Sequence, residues 1–194
     1  RSGAADVELL ALDRDDLAPV LRAQCLASFA GLGSGSPAQR LCALASFRVL
    51  CAHRHGARGA DAVNGMIERW LAEAGAIRPD TEWYDGRHVL VTRNDAQMEL
   101  WNGDAGVAMA GKVWFQGPSG APRAVPPALL PPHESVYAMT VHKSQGSEAE
   151  RIVLILPERP SPGLTRELVY TAVTRARRGV VIVGSEAVLR EALE

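Results

Sequence analysis

Cysteine is scarce: 194 residues hold only Cys25, Cys42 and Cys51, an odd number with no C-x-x-C pair. That argues against a disulfide framework and leads us to expect a reducing, cytoplasmic setting. No apolar run approaches the roughly 20 residues of a membrane span, and no signal peptide is visible. Neither sign of charge dominates, since 21 Lys and Arg against 22 Asp and Glu leave a formal net charge of -1. A general attraction to polyanions is therefore absent, and any contact with nucleic acid has to come from a local patch. There is no internal repeat. The chain opens "RSGAADVELL" without an initiator methionine, which reads as a piece excised from a longer soluble protein. What is present is ordinary globular composition, 47% hydrophobic and 22% charged. It is long enough for one core, or for a core plus a small inserted module.

The opening stretch, "VELLALDRDDLAPVLRAQCLASFAGL", reads as one or two helices ending at the break "GLGSGSPAQ". After it, "FRVLCA" has the β-branched and aromatic content of a buried strand. Val63, Met66, Ile67, Trp70, Leu71 and Ala74 then recur at the spacing of one helix face, with Gly75 as the stop. From 88 to 132 the texture changes to short β-prone runs cut by Asn-Asp, Asn-Gly-Asp, Gly-Pro-Ser-Gly and Pro-Pro, the pattern of a small antiparallel barrel. Beyond it, apolar strands over 136–141, 152–156 and 180–183 interleave with helices over 166–177 and 186–193. Strands that barely alternate, separated by helices, imply a parallel sheet covered on both faces. The expected architecture is α/β, interrupted by a β module. Residues 1–46 form a helical lead-in, 47–92 and 135–194 the two parts of the α/β domain, and 93–134 the insert.

Three segments carry chemistry. In "TVHKSQGSE", Ser147 and Glu150 match an S-x-x-E capping box, which leaves His142, Lys143 and Gln145 unexplained where a strand meets a loop. In "LTRELVYTAVTRARRGVVIVG", Thr165 caps a helix whose buried stripe is Leu168, Val169, Ala172, Val173 and Ala176, with Gly179 as its stop. Thr171, Thr174, Arg175 and Arg178 share another stripe of that helix. The helix dipole accounts for Arg177 and Arg178. Arg175, one turn further in, is the better candidate for neutralising charge on a transferred phosphoryl group. In "LCAHRHGARGADAVN", Cys51, His53 and His55 alternate as metal ligands could, yet no fourth ligand is evident and no metal is assigned. Arg54 points away from them, either into the same crevice as Arg175 or into solvent.

Together, "AMTVHKSQGSE", "RELVYTAVTRARR", "VTRND" followed by "NGDAGV", and "LCAHRHGARGADAVN" resemble the carboxyl-terminal part of the RecD family of superfamily-one DNA helicases, in consistent order from about Phe47 to Leu193. The resemblance implies a RecA-like second motor domain interrupted by an SH3-like β-barrel. It implies helicase motif V in "TVHKSQGSE", with Thr140, His142 and Lys143 on the DNA side, Gln145 and Gly146 between DNA and nucleotide, and Glu148 near the ribose. It implies motif VI in "YTAVTRAR", with Arg175 as the γ-phosphate arginine and Tyr170 beside it, and motif IV with Arg54 as a second such arginine. Ala149 departs from the pattern, which usually carries an aromatic there, and the expected effect is looser local packing. Asn94, Asp95, Asn102, Gly103 and Asp104 match at the barrel entrance, and turn chemistry alone accounts for most of them.

No G-x-x-x-x-G-K-[ST] phosphate loop occurs in the 194 residues. The resemblance therefore implies half of an ATPase: ATP and Mg2+ would be bound mainly by an amino-terminal motor domain of the same protein, and this piece alone would be inactive. It further implies 5′ to 3′ movement on single-stranded DNA, and RecB- and RecC-type partner subunits in an exodeoxyribonuclease V complex for repair and recombination. Two alternatives stay open: a non-catalytic module for subunit docking or DNA binding, and a relaxase-type helicase domain of the same superfamily.

Overall fold

The structure, a computed structural model, describes residues 6–11, 17–29, 31 and 34–194. They fold into two compact units: the described residues of 1–24, 45–66 and 137–194 form one, and those of 25–44 and 67–136 the other.

The first unit is built on a five-stranded, all-parallel sheet. Its strands are β1 (Asp6–Ala11), β2 (Phe47–Cys51), β8 (Ala138–Thr140), β9 (Ala149–Ile155) and β10 (Ala176–Gly184), in the order β1-β10-β9-β2-β8. The centre is apolar on both faces. Ile152, Val153, Leu154 and Ile155 of β9, Val49, Leu50 and Cys51 of β2, and Val180, Ile182 and Val183 of β10 are all buried. Each fully buried aliphatic side chain of this kind contributes about 1.5–3 kcal/mol, so the expected parallel sheet is present and hydrophobic burial holds it. The helices assigned wholly to this unit are α4 (Arg166–Val173) and α5 (Glu186–Leu193), while α1 (Leu17–Phe29) and α3 (Ala60–Glu73) each cross a unit boundary.

Several expectations change here. The opening segment expected as helix begins with β1, a parallel edge strand on β10. Asp6, Val7 and Glu8 are all exposed and Leu9 and Leu10 half-buried, as suits a strand at the edge of its sheet. The helix expected over 166–177 stops at Val173, and Arg177, Arg178 and Gly179 lie on β10 instead. Gly179 is thus no helix stop but a strand residue opposite Asp6 and Arg151. The Ser147–Glu150 capping box does not form, because Glu150 lies within β9.

The second unit holds α2 (Pro37–Ser46) up to residue 44, and an antiparallel sheet of β3 (His88–Val91), β4 (Ala105–Met109), β5 (Lys112–Gln116), β6 (Pro122–Val125) and β7 (His133–Ser135), in the order β6-β5-β4-β3-β7. β3, whose run from 88 already has the texture of the small antiparallel module although the expected boundary fell at 92, pairs with β4 and β7. Val89, Val91, Leu100, Ala108, Val113, Phe115 and Val125 form its apolar cluster. Gly106 is obligatory there: a Cβ on it would lie 2.7 Å from the Phe115 ring and 2.8 Å from the Trp114 carbonyl. The entrance residues do serve as turn chemistry. Asn94 Oδ1 accepts from the Asn102 N–H at 2.7 Å, Asp95 Oδ1 from Gln97 and Met98, and Asp104 Oδ2 from Trp101.

Candidate functional site

The polar insert after β8 is fastened at its root by a residue the sequence reading passed over. Asn64, on α3, accepts from the Tyr137 and Ala138 N–H groups through Oδ1 at 2.6 and 2.8 Å. Its Nδ2 donates to the Ala138 and Ala60 carbonyls at 2.7 and 2.8 Å. All four hydrogen-bonding positions of the amide are used, which sets the height of β8 against α3. The available signal was an asparagine inside an otherwise apolar helical stretch, where its own propensity is poor.

Beyond β8 the chain is held by its own hydroxyls. Thr140 Oγ1 accepts from the Lys143 N–H at 3.4 Å, and the fully buried Ser144 donates to the Val141 carbonyl at 2.7 Å. Ser147 donates through both N and Oγ to the Ser144 carbonyl. Gly146, at φ +83°, takes the left-handed turn that a side chain would strain. The serines and the glycine thus make a self-latched turn, and the long polar side chains of His142, Lys143, Gln145 and Glu148 are left exposed.

The second segment arrives beside the end of this turn. Thr165 Oγ1 accepts from the Leu168 N–H and starts α4, which buries Leu168, Val169 and Ala172 and leaves Tyr170 70% exposed. Past the helix, the Arg175 carbonyl accepts from the Ala149 N–H at 2.9 Å, joining the two motifs through the backbone. Side chains repeat the junction: Arg177 Nε donates to Glu148 at 2.9 Å, and Arg178 Nε lies 2.8 Å from Glu150. The Glu148 hydrogen bond, with the charge of that carboxylate, raises the Arg177 pKa. Arg175 itself is half-buried, with Nε on the Thr171 carbonyl at 3.4 Å. An arginine held at Nε is a donor of the kind that recognises an anionic oxygen. A metal is not matched in this way, because no group of three His, Cys, Asp or Glu among the described residues could hold one.

Strand register sorts the sequence candidates onto two edges. Thr140 lies opposite Cys51, and Cys51 opposite Ile155, so Thr140, His142, Lys143 and Arg54 belong to the carboxyl edge. Arg175 and Glu148 flank the pairing of Ala176 with Ala149 at the amino edge. At roughly 3.3 Å per residue, Ala149 and Ile155 are about 20 Å apart along the strand. Gln145 and Gly146 lie on the chain that runs between the edges. Motif V and motif VI therefore meet, whereas the Arg54 backbone does not join Arg175. Arg54 Nε instead lies 3.5 Å from Asp61, which also holds His55 at 3.0 Å. The possible Cys51, His53 and His55 ligand set is dispersed: Cys51 is buried, and His53 Nε2 is 2.7 Å from Ser161 Oγ.

Known proteins are similar to this chain in sequence. The family model of the UvrD-like helicase C-terminal domain matches residues 135–183. RecBCD enzyme subunit RecD of Mycobacterium tuberculosis (strain ATCC 25618 / H37Rv) is 43% identical over 203 residues, covering 100% of this chain and 34% of that protein. The chain belongs to the RecD family. A RecD subunit of Haemophilus influenzae is 38% identical over 76% of the chain and 23% of its own length. The ATP-dependent RecD2 DNA helicase of Deinococcus radiodurans is 34% identical over 71% and 20%. The chain thus spans about a third of the length of the first of these RecD relatives. Among solved structures, Bacteroides Pif1 bound to ssDNA is similar at 17% identity and a TM-score of 0.40, covering 70% of this chain and 40% of that one. No helix among the described residues is long and apolar enough to cross a membrane.

Proposed function

We propose that this chain is the second motor domain of an ATP-dependent 5′ to 3′ DNA helicase, a RecD-type subunit working with RecB- and RecC-type partners. The observation that carries the reading is the junction of the two motifs, in which the Ala149 N–H bonds the Arg175 carbonyl and Arg177 bonds Glu148. That junction puts a braced guanidinium and a carboxylate on one edge of a parallel sheet, with the glycine turn leading away from it. Arg175 stabilises charge on the γ-phosphate, and Glu148 and Tyr170 meet the nucleoside part. Gln145 and Gly146 link this edge to Thr140, His142 and Lys143, which hold the DNA backbone. ATP supplies the free energy when bound, and its Mg2+ is held outside these 194 residues, together with the phosphate loop that they lack. Closure of the amino-terminal motor domain onto Arg175 would change the turn at 141–148, and through it the grip on DNA. The second-sheet unit is the counterpart of the SH3-like insert. Arg54, assigned to the γ-phosphate by resemblance, stands on the DNA edge and pairs with Asp61, so Arg175 is the arginine on which hydrolysis depends.

Replacing Arg175 by Ala in the full-length protein is expected to reduce DNA-stimulated ATP hydrolysis by a factor of about 10³ or more, with single-strand affinity retained. Steady-state ATPase and fluorescence anisotropy measure the two. Near-normal turnover in that variant would refute the reading.

A further inference from the structure

The strand that follows motif VI is irregular at one point. Ala176 pairs with Ala149 and Gly179 with Arg151, so β10 spends Arg177 and Arg178 where β9 spends Glu150 alone. Two residues facing one make a β-bulge, which is uncommon between parallel strands. Its effect shows in the side chains. Successive residues of a regular strand point to opposite faces. Arg177 and Arg178 instead reach the same carboxylate, with Arg177 Nη1 3.8 Å and Arg178 Nε 2.8 Å from Glu150. Arg177 Nε also donates to Glu148 at 2.9 Å. Glu148, Arg177, Glu150 and Arg178 thus form a chain of alternating charge in which each carboxylate is neutralised.

This pairing passes over the partner nearest in register. Glu148 and Arg175 are the residues just before the Ala149–Ala176 pair, on neighbouring stretches of chain that run in the same direction. The Arg175 carbonyl accepts from the Ala149 N–H at 2.9 Å, so the two backbones touch there. Paired strands lie about 4.8 Å apart, well inside the combined reach of a glutamate and an arginine side chain. Yet among the described residues no carboxylate pairs with Arg175, whose Nε rests on the Thr171 carbonyl at 3.4 Å. Arg177, two residues further on, takes Glu148 instead.

We infer that Arg177 is a positioning residue: delivered by the bulge, it occupies Glu148 and so keeps the Arg175 guanidinium free for the γ-phosphate. The inference rests on the function proposed above, in which Arg175 meets that phosphate, and names what would otherwise silence it. A carboxylate released beside Arg175 competes with the incoming phosphate for the same donors. Without Arg177, Glu150 still has Arg178, whereas Glu148 loses its partner and has Arg175 next to it.

The test measures kcat for ATP hydrolysis by the full-length protein at saturating ATP and single-stranded DNA. Arg177→Ala should lower kcat about fivefold, the scale of one exposed ion pair. Arg177→Lys, which keeps a cation beside Glu148, should recover part of that loss. The deciding variant combines Arg177→Ala with Glu148→Gln. With no carboxylate left to capture Arg175, its kcat should return to that of Glu148→Gln alone, a rescue that no folding defect can imitate. If Arg177→Ala turns over like the wild type, Glu148 does not capture Arg175 and the inference falls. If the double variant stays as slow as Arg177→Ala, Arg177 acts on its own, through the nucleotide or the fold, and the inference falls equally. Arg175→Ala separates these failures from that of the underlying reading. Near-normal turnover there removes the γ-phosphate role itself, whereas a large loss beside an unaffected Arg177→Ala leaves that role standing and removes only the part given to Arg177.

Discussion

Cys25 shows how completely one residue's chemistry follows from its surroundings. Fully buried on α1, its thiol is pushed up from 9.0 to about 12 by loss of solvation. Cys51 is buried too, whereas Cys42 is exposed. Thiol reagents at mildly alkaline pH are therefore expected to label Cys42 alone within minutes, with Cys25 reacting only after denaturant is added. Mass spectrometry of timed samples checks this, and equal labelling of all three would contradict the burial. The sign of the linkage is fixed as well. A thiol that ionises later in the folded chain than in the unfolded one contributes full stability below pH 9, and that contribution drains away as pH climbs toward 12.

At the scale of elements, the best-determined junction is the Asn64 latch. Asn64→Ala strands the Tyr137 and Ala138 N–H groups beneath a buried strand, at a cost of about 1–3 kcal/mol for each unsatisfied group. Asn64→Asp keeps the acceptor and loses the donor to Ala138 and Ala60, so it should fall between the wild type and Ala in urea denaturation. Equal stability of all three would mean that β8 is positioned by something else. The element scale also shows what was legible in the sequence. β9, β2 and α5 could be read because an apolar run or a helical period needs no partner to declare itself. The end of α4 could not. Alanine and arginine after Thr174 favour helix, but the Ala149 N–H and the carboxylates of Glu148 and Glu150 draw the chain into β10, and those partners lie more than twenty positions away in sequence. β1 was misread for a related reason: its exposed acids suggest a helix face until β10 appears beside it. Among the site residues, Arg175 and the Lys143 loop were visible by motif. The Asn64 latch and the bulge at Arg177 and Arg178 were not, because each exists only where two distant segments meet.

For the whole molecule, the governing fact is that the parallel sheet carries an amino edge with Arg175 and a carboxyl edge with Lys143, joined by one short turn. On the function proposed above, such a domain transmits and leaves the phosphate loop to another part of the protein. The 194-residue chain assayed alone is expected to show no DNA-stimulated ATP hydrolysis above background, and the full-length protein to show it strongly. Side-by-side measurement of phosphate release decides the matter, and turnover by the short chain would place the catalytic loop within it.

The pairing of β1 with β10 has a consequence for synthesis. β1 leaves the ribosome well ahead of its neighbour and meets it only after residue 184 has emerged, by which time the antiparallel sheet has been made in between. Until then β1 waits with an open edge and nothing to zip onto. Nascent chains halted short of that point would therefore be the ones most in need of a chaperone.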